Sequence, residues 1–145
     1  MGKASAPKKK TTGSGKKDTA KWKVEPEEHD FPAAQDYLEL VMKPEIAVRA
    51  VAGLQQAETM HRVARDLLRA SRLPLLPPSN PEVANDLKKV KRGIQLSPVL
   101  LVRGDVSKER ALTVADGYHR ICASYDIDQD LDIPCRIVDL PTASR

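Results

Sequence analysis

Aromatic residues, cysteines and long apolar runs are all scarce in this chain of 145 residues. Only five aromatic side chains are present, so aliphatic side chains must build most of a core that suffices for one small domain. No run of about 18 apolar residues appears, so we expect no membrane-spanning helix. Cys122 and Cys135 stand outside any CxxC or Cys/His metal spacing, which excludes a disulfide framework or a zinc finger. No apolar segment follows the first lysines, so a secretory signal is not expected and a reducing cytoplasm is the expected location.

Positive charge is concentrated at the N-terminus. Residues 1–23 hold eight lysines and one acidic residue, a net charge of +7, so the total of +4 leaves −3 for the other 122 residues. Residues 1–21 offer little to bury, and their composition predicts a disordered tail. Such a tail is either a solubilising segment or a lysine-rich arm that binds nucleic acid. The mildly acidic remainder does not favour nucleic-acid binding by the folded part.

Helical patterns precede any clear strand. Residues 22–28 are expected to run extended into the domain, and Pro32 suits the first turn of a helix that ends near Pro44. Apolar residues near a helical period then predict a second helix over about 45–62. Two helices in this position suggest a side layer or a lid.

The middle of the chain is divided by prolines. Residues 67–75 are assigned to a short strand because the prolines around them forbid a long helix. The helix that follows has well-marked ends, with Asn80 as its cap, Pro81 at its first position and Gly93 after its last turn. Its basic C-terminal end is explained by the helix dipole.

The last third predicts a hairpin, a helix and a final strand. Residues 99–102 form a short continuous apolar run, typical of a strand buried on both faces, and residues 111–115 form its return partner. A helix is expected over 118–125. The final strand, 133–138, contains Pro134, which places it at a sheet edge or makes Pro134 its first residue.

The densest cluster of chemically useful side chains lies where the hairpin meets that helix. A first helical turn exposes unpaired N–H groups, and Gly117 lets a ligand approach the backbone closely. Arg120 supplies a forked contact to phosphate oxygens, and His119 donates to phosphate or transfers a proton. Asp116 can orient a hydroxyl, accept a proton or hold a magnesium ion. The pattern indicates a phosphate site.

Structural roles explain the same residues in part. Asp116 is a good helix cap and Gly117 a common turn residue. His119 and Arg120 also suit the surface of a first helical turn. Tyr118 either stacks on a base or covers the core, and the core role is favoured.

The segment ADGYHRICASY, preceded by LSPVLLVRGD and followed by DIPCRIV, resembles the ParB/sulfiredoxin superfamily, in a bacterial branch with a D-G-Y-H-R motif. The resemblance covers residues 64–139. It implies an α/β (α+β) fold, a small mixed sheet with packed helices. One domain over 22–145 would then consist of a helical extension, 22–63, and the core, 64–139.

The resemblance also implies a ligand and site residues. The turn binds nucleotide phosphates in this superfamily, so Gly117, Tyr118, His119 and Arg120 are expected to bind the ligand, with Asp116 and His119 as catalytic candidates. The ligands implied are ATP, ADP or CTP with Mg2+.

Individual branches of the superfamily differ at this motif. Its ADP-dependent free-serine kinases carry D-G-H-H-R, where this chain has Tyr118 for the first histidine, and need an earlier glutamate, for which Glu25, Glu27 and Glu28 are candidates. Sulfiredoxins need a cysteine at the position of Tyr118, so sulfinic-acid repair is not expected. Chromosome-partitioning members carry two arginines in the motif and a downstream helix-turn-helix region, so operator binding is not expected either.

Three functions follow in order of preference. The first is a protein that binds a nucleotide or another phosphate ligand, with phosphoryl transfer or nucleotide hydrolysis left open. The second is a non-enzymatic nucleic-acid-binding accessory protein that uses the tail, residues 1–21. The third is a nuclease, for which Asp116 alone is a thin metal-binding set.

Overall fold

The computed structural model describes residues 19–142, which form a mixed four-stranded sheet with helices on both faces. This arrangement confirms the predicted α+β class. Residues 1–18, which make up most of the predicted tail, lie outside the described part. The elements in chain order are α1 (Asp30–Leu38), α2 (Pro44–Gln56), β1 (Met60–Val63), α3 (Ala64–Ser71), α4 (Pro81–Lys91), β2 (Val99–Val102), β3 (Thr113–Asp116), α5 (Tyr118–Ile127) and β4 (Asp132–Val138).

The sheet has the order β1-β4-β2-β3. Strand β2 runs antiparallel to β3 and parallel to β4, while β1 pairs antiparallel with β4. The predicted hairpin of β2 and β3 is therefore confirmed, and a single 3-10 turn over Val106–Lys108 lies in its loop. All four residues of β2 are buried, as the continuous apolar run predicts.

Side chains of β2 alternate between two apolar layers. Leu100 and Val102 pack against α1 and α2, whereas Val99 and Leu101 pack against α3 and α5. Helix α4 covers the outer side of α5, where Val83 contacts a small buried cluster of α5. The first two helices are thus a side layer on the sheet, and the site described below lies between the sheet, α4 and α5.

Two predictions in the first half of the chain are wrong. The second helix ends at Gln56 rather than near residue 62, and residues 60–63 form β1 because they pair with β4. The strand predicted over 67–75 is instead mostly helix α3, which ends where Arg72 adopts a left-handed conformation (φ 59°). Pro74 follows that end, so it places no restriction on the helix.

The predicted edge position of the last strand is also wrong. Strand β4 lies inside the sheet between β1 and β2, and Pro134 is its third residue. Pairing with β2 begins only at Cys135, one residue after the proline. The missing N–H of Pro134 is tolerated because β2 has not yet begun at that level.

The boundaries of α4 agree with the sequence. Asn80 caps the helix by accepting hydrogen bonds from the N–H groups of Glu82 and Val83, at 3.0 and 3.1 Å. Pro81 occupies the first position, and Gly93 follows the helix with φ 73°. Across residues 19–142, no helix is both long enough and apolar enough to cross a bilayer.

Candidate functional site

Strand β3 passes directly into helix α5 through one residue. Asp116 ends the strand, Gly117 has φ 112°, and Tyr118 begins the helix. A Cβ atom on Gly117 would lie 2.4 Å from Val99 Cγ1 and 2.9 Å from Arg120 Nη2. Both the positive φ and the close neighbours therefore require glycine here.

No side chain caps the N-terminus of α5. A backbone hydrogen bond runs from the N–H of Ile121 to the carbonyl of Gly117, at 3.0 Å. The amides before Ile121 have no acceptor inside the helix, as at any helix start. This end of the helix therefore offers free donors and the positive end of the dipole.

A polar cavity of about 210 Å³ lies at this uncapped end. Four of the five predicted site residues line it together, and His119 and Arg120 are among them. The volume falls below the roughly 300–1,000 Å³ of pockets that enclose a drug-sized ligand, so it fits a phosphate group and leaves a nucleoside outside. The lining residues are Glu82, Asn85, Asp86, Asp116, Gly117, His119 and Arg120.

Tyr118 lies away from this cavity. Its hydroxyl donates a hydrogen bond to the carbonyl oxygen of Pro74, and its ring packs against the two clusters beneath α5. Burial raises the pKa of the Tyr118 phenol above its ordinary value. The side chain therefore packs on the core, which is the role favoured for it from the sequence. Tyr118 was also predicted to bind the ligand, but it does not line the cavity.

Arg120 is held by partners inside the protein. Its Nη2 donates to Asp116 Oδ2 at 3.1 Å and to the carbonyl of Pro98 at 3.3 Å, and its side chain is 17% exposed. Its Nε is buried and has no hydrogen-bond partner among the described residues. Arg120 thus joins the turn to the start of β2, and its Nε–H donor remains without an acceptor in residues 19–142.

Two carboxyl groups beside Arg120 are poorly solvated. Burial raises the pKa of both Asp86 and Asp116, and the guanidinium of Arg120 offsets part of that effect. On the open side of the cavity, His119 Nε2 lies 3.7 Å from Glu82 Oε1. Three carboxyl groups and one guanidinium therefore meet at the cavity.

Helix α4 contributes three residues to the cavity that were not predicted from the sequence. Glu82, Asn85 and Asp86 follow one another at helical spacing and share one face of the helix, which α4 turns toward α5. This spacing is the only signal in the sequence that points to them. It is a weak signal, because a polar helix face normally faces solvent.

A second polar cluster lies next to the cavity. Glu27, His29 and Asp30 are the only group of three acidic or histidine side chains in residues 19–142 whose ligand atoms lie within 4.8 Å of one another. The charge of Asp30 acts to raise the pKa of Asp116, so the two clusters are close in space. The other two candidate glutamates, Glu25 and Glu28, line a different cavity with Arg136.

Both cysteines are buried and free. Burial raises the pKa of Cys135 to about 11 and also raises that of Cys122. Since only the thiolate is a nucleophile, neither thiol is activated for chemistry at neutral pH.

Comparison with protein-family models, with curated proteins and with solved structures gives no match for this chain. Membership of the ParB/sulfiredoxin superfamily therefore stays a prediction, based on the D-G-Y-H-R motif and the order of the elements around it.

Proposed function

We propose that the protein binds the phosphate end of a nucleotide, as a complex with a divalent cation such as Mg2+, at the junction of β3 and α5. The observation that carries this proposal is the uncapped N-terminus of α5 at the edge of a polar cavity. Helix starts with free N–H groups are ready binding sites for phosphate oxygens. The motif that resembles the ParB/sulfiredoxin superfamily lies at the same place.

The charges of the cavity lead to the metal complex rather than the bare anion. The lining holds three carboxyl groups, Glu82, Asp86 and Asp116, against the single guanidinium of Arg120. A phosphate without a cation would be repelled by this excess of acidic groups. Magnesium is bound in proteins by one or two carboxylates together with substrate phosphates, and this cavity offers such carboxylates.

Each residue of the motif has a distinct role in this proposal. The N–H groups of the first turn bind phosphate oxygens, and His119, on the open side, donates a further hydrogen bond. Arg120 positions Asp116 through their 3.1 Å hydrogen bond. If the bound ligand undergoes phosphoryl transfer or hydrolysis, Asp116 is the candidate general base, because it lines the cavity beside the start of α5 and burial raises its pKa above the ordinary value.

Titration calorimetry of the full chain with ATP, ADP and CTP, each with and without Mg2+, tests the proposal. We expect binding of at least one nucleotide with Mg2+, and a ligand at a hundred times its Kd should stabilise the fold by about 2.7 kcal/mol. The variant His119→Ala should weaken binding roughly tenfold, since it removes a hydrogen bond to a charged group.

The matched control is His61→Ala, which removes an exposed histidine of β1. It should bind the nucleotide as the wild type does. Absence of binding for all three nucleotides, or equal affinities for His119→Ala and the wild type, would contradict the proposal. Arg120→Ala is a poorer choice because it leaves Asp116 without its partner and so tests stability as well as binding.

The second function, nucleic-acid binding, is favoured only by the lysines of residues 1–23. The structure shows where a deletion should end: Lys21 accepts a backbone hydrogen bond from Leu96 at 2.7 Å, so residues 1–18 can be removed without disturbing that contact. If the tail is a nucleic-acid arm, the full chain should bind oligonucleotides with a steep salt dependence that this deletion abolishes.

A further inference from the structure

Three potential metal ligands meet just before and at the start of α1. His29 Nε2 lies 3.4 Å from Asp30 Oδ1 and 3.9 Å from Glu27 Oε1. Two ligand atoms that share a tetrahedral ion about 2.1 Å from each are roughly 3.4 Å apart. The first distance already has this value, and a small rotation of the partly exposed Glu27 side chain would give the second.

Asp30 is fixed in place for such a role. Its side chain is 5% exposed, and its Oδ2 accepts hydrogen bonds from the hydroxyl of Ser97 and the N–H of Glu27. Its Oδ1 accepts no hydrogen bond from the described residues 19–142 and lies 3.4 Å from the imidazole Nε2 of His29. This second oxygen of the carboxylate therefore remains able to bind an ion.

We propose that Glu27, His29 and Asp30 bind a divalent first-row transition metal, with Zn2+ as the representative ion. One imidazole and two carboxylates suit Zn2+ or Mn2+ better than Mg2+ or Ca2+, which take oxygen ligands alone. The imidazole is 75% exposed, so the ion is reached from solvent and the remaining coordination positions are open to water.

The arrangement around Asp30 resembles a supported metal ligand. In metal sites a ligating carboxylate is itself held by hydrogen bonds, which fix its orientation, and here Ser97 and a backbone N–H do this for the oxygen that faces away from His29. This site is separate from the cavity at α5 and does not rest on the nucleotide proposal. The two are nevertheless close enough that an ion here would reduce the negative charge around Asp116.

Calorimetric titration of the chelator-treated full chain with ZnCl2 tests this site. We expect one ion bound per chain, and His29→Ala should weaken Zn2+ affinity by at least about tenfold, the scale seen when metal-site residues are altered. Glu27→Gln should weaken it as well, with the fold unchanged by circular dichroism. His61→Ala, which removes a histidine outside the cluster, should bind Zn2+ within about twofold of the wild type.

Asp30→Asn tests the buried ligand, but it also alters the hydrogen bonds of α1, so the deciding variants are those of the exposed His29 and the partly exposed Glu27. No stoichiometric Zn2+ binding by the wild type would overturn the proposal and leave Asp30 with a structural role alone, through its hydrogen bonds with Ser97 and the N–H of Glu27. Equal Zn2+ affinities for His29→Ala and the wild type would also overturn it, because the ion would then be bound elsewhere. Loss of nucleotide binding with Zn2+ binding retained would leave this site standing.

Discussion

Helices α4 and α5 pack against each other, yet their N-termini are built in opposite ways. Helix α4 begins with Asn80, whose side chain accepts two backbone N–H groups, and with Pro81, which has no N–H to satisfy. Helix α5 begins after Gly117, which has no side chain to act as a cap, and Gly117, His119 and Arg120 line a polar cavity at this end. The side chain of Asn80 therefore satisfies the first donors of α4, whereas no side chain of residues 19–142 satisfies those of α5.

The difference sets a helix start with a structural cap apart from the one at which we propose that a ligand binds. A cap at Gly117 would stabilise α5, typically by about 1 kcal/mol, but a side chain there would collide with Val99. The protein forgoes that stabilisation at the place where His119 and Arg120 face the same cavity. The uncapped end of α5 is therefore the more informative of the two for function.

The largest effect is expected from Gly117→Ala. The new Cβ would lie 2.4 Å from Val99 Cγ1, and the alanine would have to adopt a φ of 112°. We therefore expect a loss of about 3 kcal/mol in the free energy of unfolding. Gly93→Ala is the control, because φ is 73° there and only Lys21 Nζ is near, at 3.7 Å. It should cost about 1 kcal/mol. Denaturant titration measures both, and equal losses would show that the collision with Val99 is relieved.

A smaller effect is expected from removing the cap of α4. Asn80→Ala leaves the N–H groups of Glu82 and Val83 without their acceptor, which should lower the free energy of unfolding by about 1 kcal/mol. Asn80→Asp still offers a side-chain acceptor, so it should retain most of the stabilisation that the cap provides. Neither change should alter nucleotide affinity, which calorimetry measures. A marked loss of affinity in Asn80→Ala would mean that the two helix starts do not have separate roles.

The smallest effect is expected at Asp86, and it depends on pH. Because burial raises the folded-state pKa of Asp86 above its ordinary 3.8, its contribution to stability is present below that value and lost as pH rises through the folded pKa. Asp86→Asn should therefore be more stable than the wild type at neutral pH, and the gain should vanish in acid. Denaturant titrations across pH measure it. The exposed Asp36→Asn should change the unfolding free energy by less than about 0.5 kcal/mol throughout.

The parts of the site that lie close together in sequence could be predicted from it. Gly117 between an apolar strand and a helix predicted the direct passage from β3 to α5, because local backbone chemistry decides such a turn. Asn80 and Pro81 predicted the start of α4 for the same reason. The four residues that share the cavity with α4 are all within one turn of that glycine.

The parts that depend on distant contacts could not be predicted. Strand β1 is short and half exposed, and it becomes a strand because β4 lies beside it. Pro134 indicated an edge strand, but the level at which β2 begins allows it inside the sheet. Glu82 and Asp86 looked like a solvated helix face until the packing of α4 on α5 placed them in the cavity.

By itself, the sequence determined a buried strand at residues 99–102, a glycine turn into α5, a capped α4 and a domain that is mildly acidic behind a basic N-terminus. Each of these follows from neighbours in the chain or from composition alone. Only the tertiary structure decided that three carboxyl groups would surround Arg120 and that Glu27, His29 and Asp30 would meet beside Ser97. The physical reason is that burial and electrostatic partners depend on which surfaces are packed together, and helix periodicity gives a face but not its neighbour.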